Sequence, residues 1–96
     1  ETVFAAAARE VMEETAVTIA NIALIDVVDS ITPDQSGRVQ FHYTLVDVVA
    51  DWQNGDPVGG TDAMHAEFMP FDKVANLNLW SETHRIIAEA RRMRGI

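Results

Sequence analysis

Three glutamates, Glu10, Glu13 and Glu14, stand together in a stretch that reads as helix. Glu10 and Glu14 are four residues apart, so on a helix their side chains stack one above the other, and Glu13 flanks the same stripe. Like charges at that spacing weaken an isolated helix by roughly 0.2–0.5 kcal/mol, a cost that one substitution would remove. A hard divalent cation is a sufficient reason to keep them. Mg²⁺ prefers carboxylate oxygens, retains several waters and bridges to phosphate oxygens of a substrate. A solvated acidic face, partly neutralised by Arg9, would have the same composition.

Other residues that could do chemistry lie further along. The loop GGTDAMH offers Asp62 as a candidate proton acceptor, with Glu67 behind it, and the glycine pair before Asp62 would let backbone approach a ligand closely. A solvated loop aspartate is the simpler reading of Asp62. His42, His65 and His84 are scattered without metal-ligand spacing and read as surface or strand histidines. Trp52 and Trp80 could stack on a nucleobase, although burial at a loop and a helix start is the more economical expectation. Phe41 and Tyr43 share a strand face and are expected in the core. Cysteine is absent, which removes thiol catalysis, disulfides and Cys-based zinc sites together and is compatible with a cytoplasmic protein.

These residues need elements to hold them. Residues 2–15 contain an alanine run and neither Gly nor Pro, so they are expected to form a helix. Phe4, Ala8, Val11 and Thr15 would be its apolar back and the three glutamates its front. Residues 17–28, rich in β-branched side chains, read as one strand or two short ones, followed by a loop over 31–37. Residues 38–50 read as a second strand covered on both faces, and 51–61 as a Gly-rich polar loop of a length that tends to be functional. A short strand is expected over 64–71, ended by Pro70, then a turn over 72–79 and a last helix capped by Ser81. Arg91, Arg92 and Arg94 near its C-terminus suit the helix dipole. Helix, three or four strands with long connections, then helix implies an α/β layer fold with helices on both sides of a mixed sheet.

The 96 residues hold 48% apolar side chains, enough for one domain and no second. Fifteen Asp and Glu against seven Lys and Arg leave a net charge of −8, which argues against a nucleic-acid backbone as partner. No apolar run approaches the roughly 20 residues of a bilayer span, so no membrane partner is expected. The chain opens at Glu1 without an initiator Met and already in a helical pattern, as a piece of a longer protein would.

The spelling of the first segment is specific. From Glu1 it runs E, seven residues, R-E-V-M-E-E-T-A-V, which resembles the Nudix hydrolase signature G-x5-E-x7-R-E-U-x-E-E-x-G-U, where U is apolar. Glu1, Arg9, Glu10, Val11, Glu13, Glu14 and Val17 match in fixed register, while Ala16 stands where glycine is usual. The resemblance implies a partial Nudix domain over residues 1–96. Residues 1–17 would be most of the box, residues 18–96 the remaining strands and C-terminal helix, and the opening glycine loop and N-terminal strands would be missing from this chain.

It also implies roles. Glu10 and Glu14 would hold a divalent metal, Mg²⁺ or alternatively Mn²⁺, with Glu13 a further ligand. Glu1 would pair with Arg9 to hold the loop–helix junction as structural support. The base would be Glu13 or Glu14 on the helix, or Asp62 in the loop. The reaction would be attack of water on a diphosphate linked to another moiety. Pro33 lies sixteen residues beyond Val17, a spacing found in relatives that cleave ADP-ribose, and FMPFD (68–72) is similar to their W-x-P-x-aspartate phrase. A small-molecule nucleotide diphosphate is the partner this implies, with ADP-ribose to AMP plus ribose 5-phosphate as first choice and a homodimer as one assembly. The alternatives are a nucleoside triphosphate pyrophosphohydrolase and a non-catalytic Nudix-shaped module. The 96 residues alone are expected to be inactive.

Overall fold

The computed structural model describes residues 1–60 and 65–96. Its elements follow in the order α1 (Val3–Thr15), β1 (Thr18–Pro33), β2 (Val39–Asn54), α2 (Phe71–Val74) and α3 (Ser81–Arg94). The α1 helix forms where the alanine run favours it, and Thr2 caps it by accepting from the Ala5 N–H at 3.1 Å. Its exit is left-handed at Ala16 (φ 62), whose N–H returns to the Met12 carbonyl. The expected faces hold in part. Ala8, Val11 and Thr15 are half-buried, Glu10, Glu13 and Glu14 are exposed, and Phe4 at the free end is exposed too.

The two strands form one long antiparallel hairpin, paired from Thr18 and Asn54 to Pro33 and Val39. Each outruns its sequence expectation. Residues 31–33, expected in a loop, pair with β2 because Ile31 and Thr32 are β-branched and the turn itself needs little chain. One carboxylate closes that turn: Asp34 Oδ1 accepts from the Ser36 N–H and Oγ–H and from the Arg38 N–H, which holds the Asp34 carboxyl below its usual range. At the other end Trp52 pairs with Ile19, so 51–54 belong to β2 and not to the Gly-rich loop. The described residues thus contain two strands joined by a tight turn, where three or four with long connections were expected. Nor does the strand expected over 64–71 form in its described part, 65–71, where 65–70 are irregular and Phe71 opens α2. Proline supplies no ladder donor, and Pro70 instead precedes α2 in extended conformation. Trp80, not Ser81, is the N-cap of α3, and no side chain caps it.

Alternation along β2 sends Trp52 and Ala50 to one face and Asp51, Asp47 and Leu45 to the other. The first face meets α1, where Val11 and Thr15 share a groove with Val17, Ile19 and Ala50. The second meets α3, where Ile86 and Ile87 lie against Val28 and Leu45. A helix on each side of the sheet is the α/β layering expected. Among the described residues Val17 (5% exposed) and Val28 (8%) are the buried apolar side chains, one on each side of the sheet. Residues 39–46 are exposed, so the expected cover on both faces of β2 is reached only in part, over 47–51. Phe41 and Tyr43, expected in a core, stack on each other in the exposed part with ring centroids 6.3 Å apart.

Candidate active site

Arg9 organises the acidic face of α1. Its Nε and Nη2 donate to the Glu1 carboxylate at 2.8–3.1 Å, and its Nη1 donates to both Glu13 oxygens at 3.1 and 3.2 Å. The guanidinium holds the Glu1 carboxyl below its usual range, and the two carboxylates raise Arg9 further into its charged form. Glu10 comes no closer to Arg9 than 3.9 Å. Among the described residues, Glu14 has no hydrogen-bond or ion-pair partner. The stripe therefore divides: Glu1 and Glu13 are hydrogen-bonded by one cation, while Glu10 is met by it only as a long ion pair and, like Glu14, is exposed to solvent.

The last turn of α1 is fixed from behind by the chain that follows β2. The Val58 N–H donates to the Thr15 carbonyl at 2.8 Å, and Thr15 Oγ1 donates to the Val11 carbonyl while accepting from the Val17 N–H. Two glycines make this possible. A Cβ on Gly55 (φ 96) would lie 2.5 Å from the Ala16 carbonyl oxygen, and one on Gly60 would lie 2.1 Å from that of Glu13 and 2.8 Å from the Glu14 Cα. The glycine pair expected to admit a ligand has one member, Gly60, pressed against the helix backbone under two of the glutamates. Asp62, the loop base candidate, lies outside the described residues.

Beside this helix opens a groove of about 240 Å³ lined by Val11, Ala50, Trp52, Pro57, Glu67 and Phe68 among others. Trp52 was expected to be buried, but the residue is 55% exposed and its Nε1 donates to the Gly55 carbonyl at 2.7 Å. Phe68 is 63% exposed. Glu67 stands at the groove, 3.7 Å from His65. Gly55 and Phe68 were not singled out as glycine contact and groove aromatic by sequence reasoning, although the Asn54–Gly55 dipeptide is a turn signal. Trp80 is also exposed, at the start of α3 on the opposite face, because α3 leaves its N-terminus over an open cavity. His42 pairs with Asp29 at 3.0 Å on the hairpin, and His84 with the Leu77 carbonyl. Pro33 sits at the turn end of β1, the end away from Val17 and the helix junction.

A metal fits the donor chemistry of this face. Two exposed carboxylates one helical turn apart are what a hard cation accepts when waters and phosphate oxygens complete its shell. No group of three or more His, Asp or Glu side chains among the described residues is arranged to hold a metal by protein ligands alone. Among the same residues no helix is long and apolar enough to cross a membrane.

No curated protein and no solved structure gives a significant match to this chain. A family model described as the NUDIX domain matches residues 1–90, nearly the whole chain and all of the glutamate helix. The chain belongs to the Nudix family, whose members are hydrolases of nucleoside diphosphates linked to another moiety.

Proposed function

We propose that the protein containing this chain is a divalent-metal-dependent pyrophosphohydrolase that cleaves ADP-ribose to AMP and ribose 5-phosphate. The observation that supports this reading is the division of the α1 stripe, in which Arg9 hydrogen-bonds Glu1 and Glu13, reaches Glu10 only as a long ion pair at 3.9 Å, and leaves Glu10 and Glu14 exposed. Glu10 and Glu14 would hold the cation, Mg²⁺ or Mn²⁺, with Glu13 as a further ligand once Arg9 releases it. The bound cation supplies Lewis acidity that neutralises the diphosphate charge. A carboxylate takes the proton of the attacking water as its oxygen bonds to one phosphorus, and the bridging P–O bond breaks with the oxygen leaving on the other phosphate. Glu14 is favoured over Glu13 as that base because Arg9 engages Glu13, and Asp62 is the loop alternative. Glu1 and Arg9 act as structural support, keeping the stripe in register. Pro33 is proposed as a substrate contact on its spacing alone. The absence of cysteine suits a cytoplasmic setting, and a homodimer is the proposed assembly.

The test is product analysis on the full protein with Mg²⁺, offered ADP-ribose and nucleoside triphosphates side by side. AMP and ribose 5-phosphate from ADP-ribose is the expected result. Pyrophosphate released from a triphosphate would keep the helix chemistry and replace the substrate.

A further inference from the structure

Gly55 is fixed in the fold by what it touches. Its φ of 96 and its approach to the Ala16 carbonyl oxygen, where a Cβ would lie at 2.5 Å, leave no room for a side chain. Its own carbonyl accepts from Trp52 Nε1, and three residues on the Val58 N–H donates to the Thr15 carbonyl. The residue before it is Asn54, exposed and the last of β2, where the pairing with Thr18 is already irregular. Asparagine is a chemically labile residue, and here its carboxamide has a nucleophile beside it. The Gly55 N–H donates to Asn54 Oδ1 at 2.8 Å. Oδ1 and Cγ are one C=O bond apart, so a modest turn of the side chain brings Cγ within the roughly 3–3.5 Å of a near-attack geometry. Glycine carries nothing that shields the attacking nitrogen. Asn21, Asn76 and Asn78 are followed instead by Ile22, Leu77 and Leu79, whose side chains crowd it.

We propose that Asn54 is a site of spontaneous deamidation through a succinimide with Gly55, and that its isoaspartate product loosens the end of α1. The Gly55 nitrogen gives its proton to solvent and bonds to Asn54 Cγ, and the Cγ–Nδ2 bond breaks with the nitrogen leaving as ammonia. Water then opens the imide. Addition at Cγ restores the ordinary chain as aspartate, whereas addition at the main-chain carbonyl carbon routes the backbone through Cβ and Cγ as isoaspartate. That chain is one methylene longer immediately before Gly55. The glycine seated against Ala16 must then move, and with it the stretch that carries Val58 to Thr15. The fold needs glycine at 55 for contact, and the same glycine makes Asn54 reactive.

Peptide mapping by mass spectrometry of the full protein, aged in mildly alkaline buffer, tests the chemistry. Conversion of amide to acid is expected at least about tenfold faster at Asn54 than at Asn21, Asn76 or Asn78, with two isomeric products. Equal rates at all four overturn the site. Asn54→Gln, whose longer side chain would have to close a larger ring, should not age there. Amide hydrogen exchange on the separated isoaspartate form tests the consequence. Its Val58 N–H should exchange at least about tenfold faster than in fresh protein. Asn54→Asp adds the charge without the methylene and should keep that amide protected. Unchanged Val58 exchange in the isoaspartate form, or an equal loss in Asn54→Asp, overturns the lengthened chain as the cause. Neither readout uses a substrate, so both stand whatever the protein hydrolyses.

Discussion

The two long helices are alike in length and differ in what their charges do. In α3, Arg85 donates to Asp26 on the sheet at 3.0 Å and to Glu82 on its own helix. Asp26 needs this cation, because it faces Asp47 directly across the ladder and like charges in that position repel. At the other end of α3, Arg94 Nε lies 3.2 Å from Asp51, and its Nη2 donates to the carbonyl of Asn21 in the β1 bulge. The charges of α3 thus fasten it to the sheet. In α1 only Arg9 faces the glutamates, and it engages Glu13 within the helix and Glu1 just before it. The fastening of α1 is done instead by backbone: the Val58 N–H, Gly55 and Gly60 against its last turn. A helix held through its backbone can keep carboxylates free for a ligand, and that is the difference between a structural and a chemical charge in this molecule.

The comparison breaks most sharply at Glu14. Glu14→Gln removes one acceptor charge and keeps the shape, so turnover of ADP-ribose in the full protein should fall about a hundredfold or more, with thermal stability little changed. Activity within twofold of the parent would mean that the free glutamates of α1 are as idle as any surface charge. Gly60→Ala tests the backbone fastening. Its Cβ would meet the Glu13 carbonyl oxygen at 2.1 Å, so loop or helix must shift, and a loss of about 1–3 kcal/mol in urea unfolding is expected together with reduced turnover. Unchanged stability and rate would show that the loop does not hold the helix.

How much of this could be read beforehand follows the range of each interaction. The glutamate stripe is local, governed by spacing within a few residues, and the sequence carries it directly, whereas Thr2, expected inside the helix, is its cap, and the exit at Ala16 was marked only by the family resemblance. Strand ends were less legible. Ile31, Thr32 and Trp52 join the ladder only because a partner strand meets them in register. The exposure of Phe41, Tyr43 and Trp52 could not be read from residue type at all, since a half-open sheet and a covered one use the same apolar alphabet. The use of Gly60 against α1 was equally hidden, because a glycine in a loop does not announce which backbone it approaches.

Smaller effects sharpen the α3 half of the comparison. Asp51→Ala removes the ion pair to the half-buried Arg94 and the acceptor of the Asn21 amide, and should cost about 1 kcal/mol in urea unfolding while ADP-ribose turnover per folded molecule stays within twofold. A proportionate loss of turnover would mean that α3 also serves the reaction. Protons act on both helices at once. The carboxyls of Glu1, Asp26 and Glu89 are all held below their usual range, Glu1 and Glu89 chiefly by arginine and Asp26 chiefly by the Val27 N–H, then by Arg85. Each is easier to ionise folded than unfolded, so its contribution is fully present above an unfolded pKa of about 4 and is lost as pH falls through the lower folded value. The melting temperature should therefore be level from neutral pH down to about 5 and decline below about 4. A decline that begins above pH 6 would show that these carboxyls do not set the acid limit of stability.

The smallest effect expected concerns the one position where α1 departs from its family pattern. Ala16 ends the helix at φ 62, where a Cβ crowds the following carbonyl and glycine has no such penalty. Ala16→Gly relieves that strain and loosens the unfolded chain, two effects of opposite sign, and the net gain should be about 0.5–1 kcal/mol in urea unfolding. Since Gly55 packs on the Ala16 carbonyl and not on its methyl, the substitution removes no contact from that side. Turnover should not change, because the free carboxylates keep their helix. If Ala16→Gly instead lowered turnover while raising stability, the strained exit would itself be holding the glutamates in position, and the backbone fastening of α1 would extend one residue beyond the glycines.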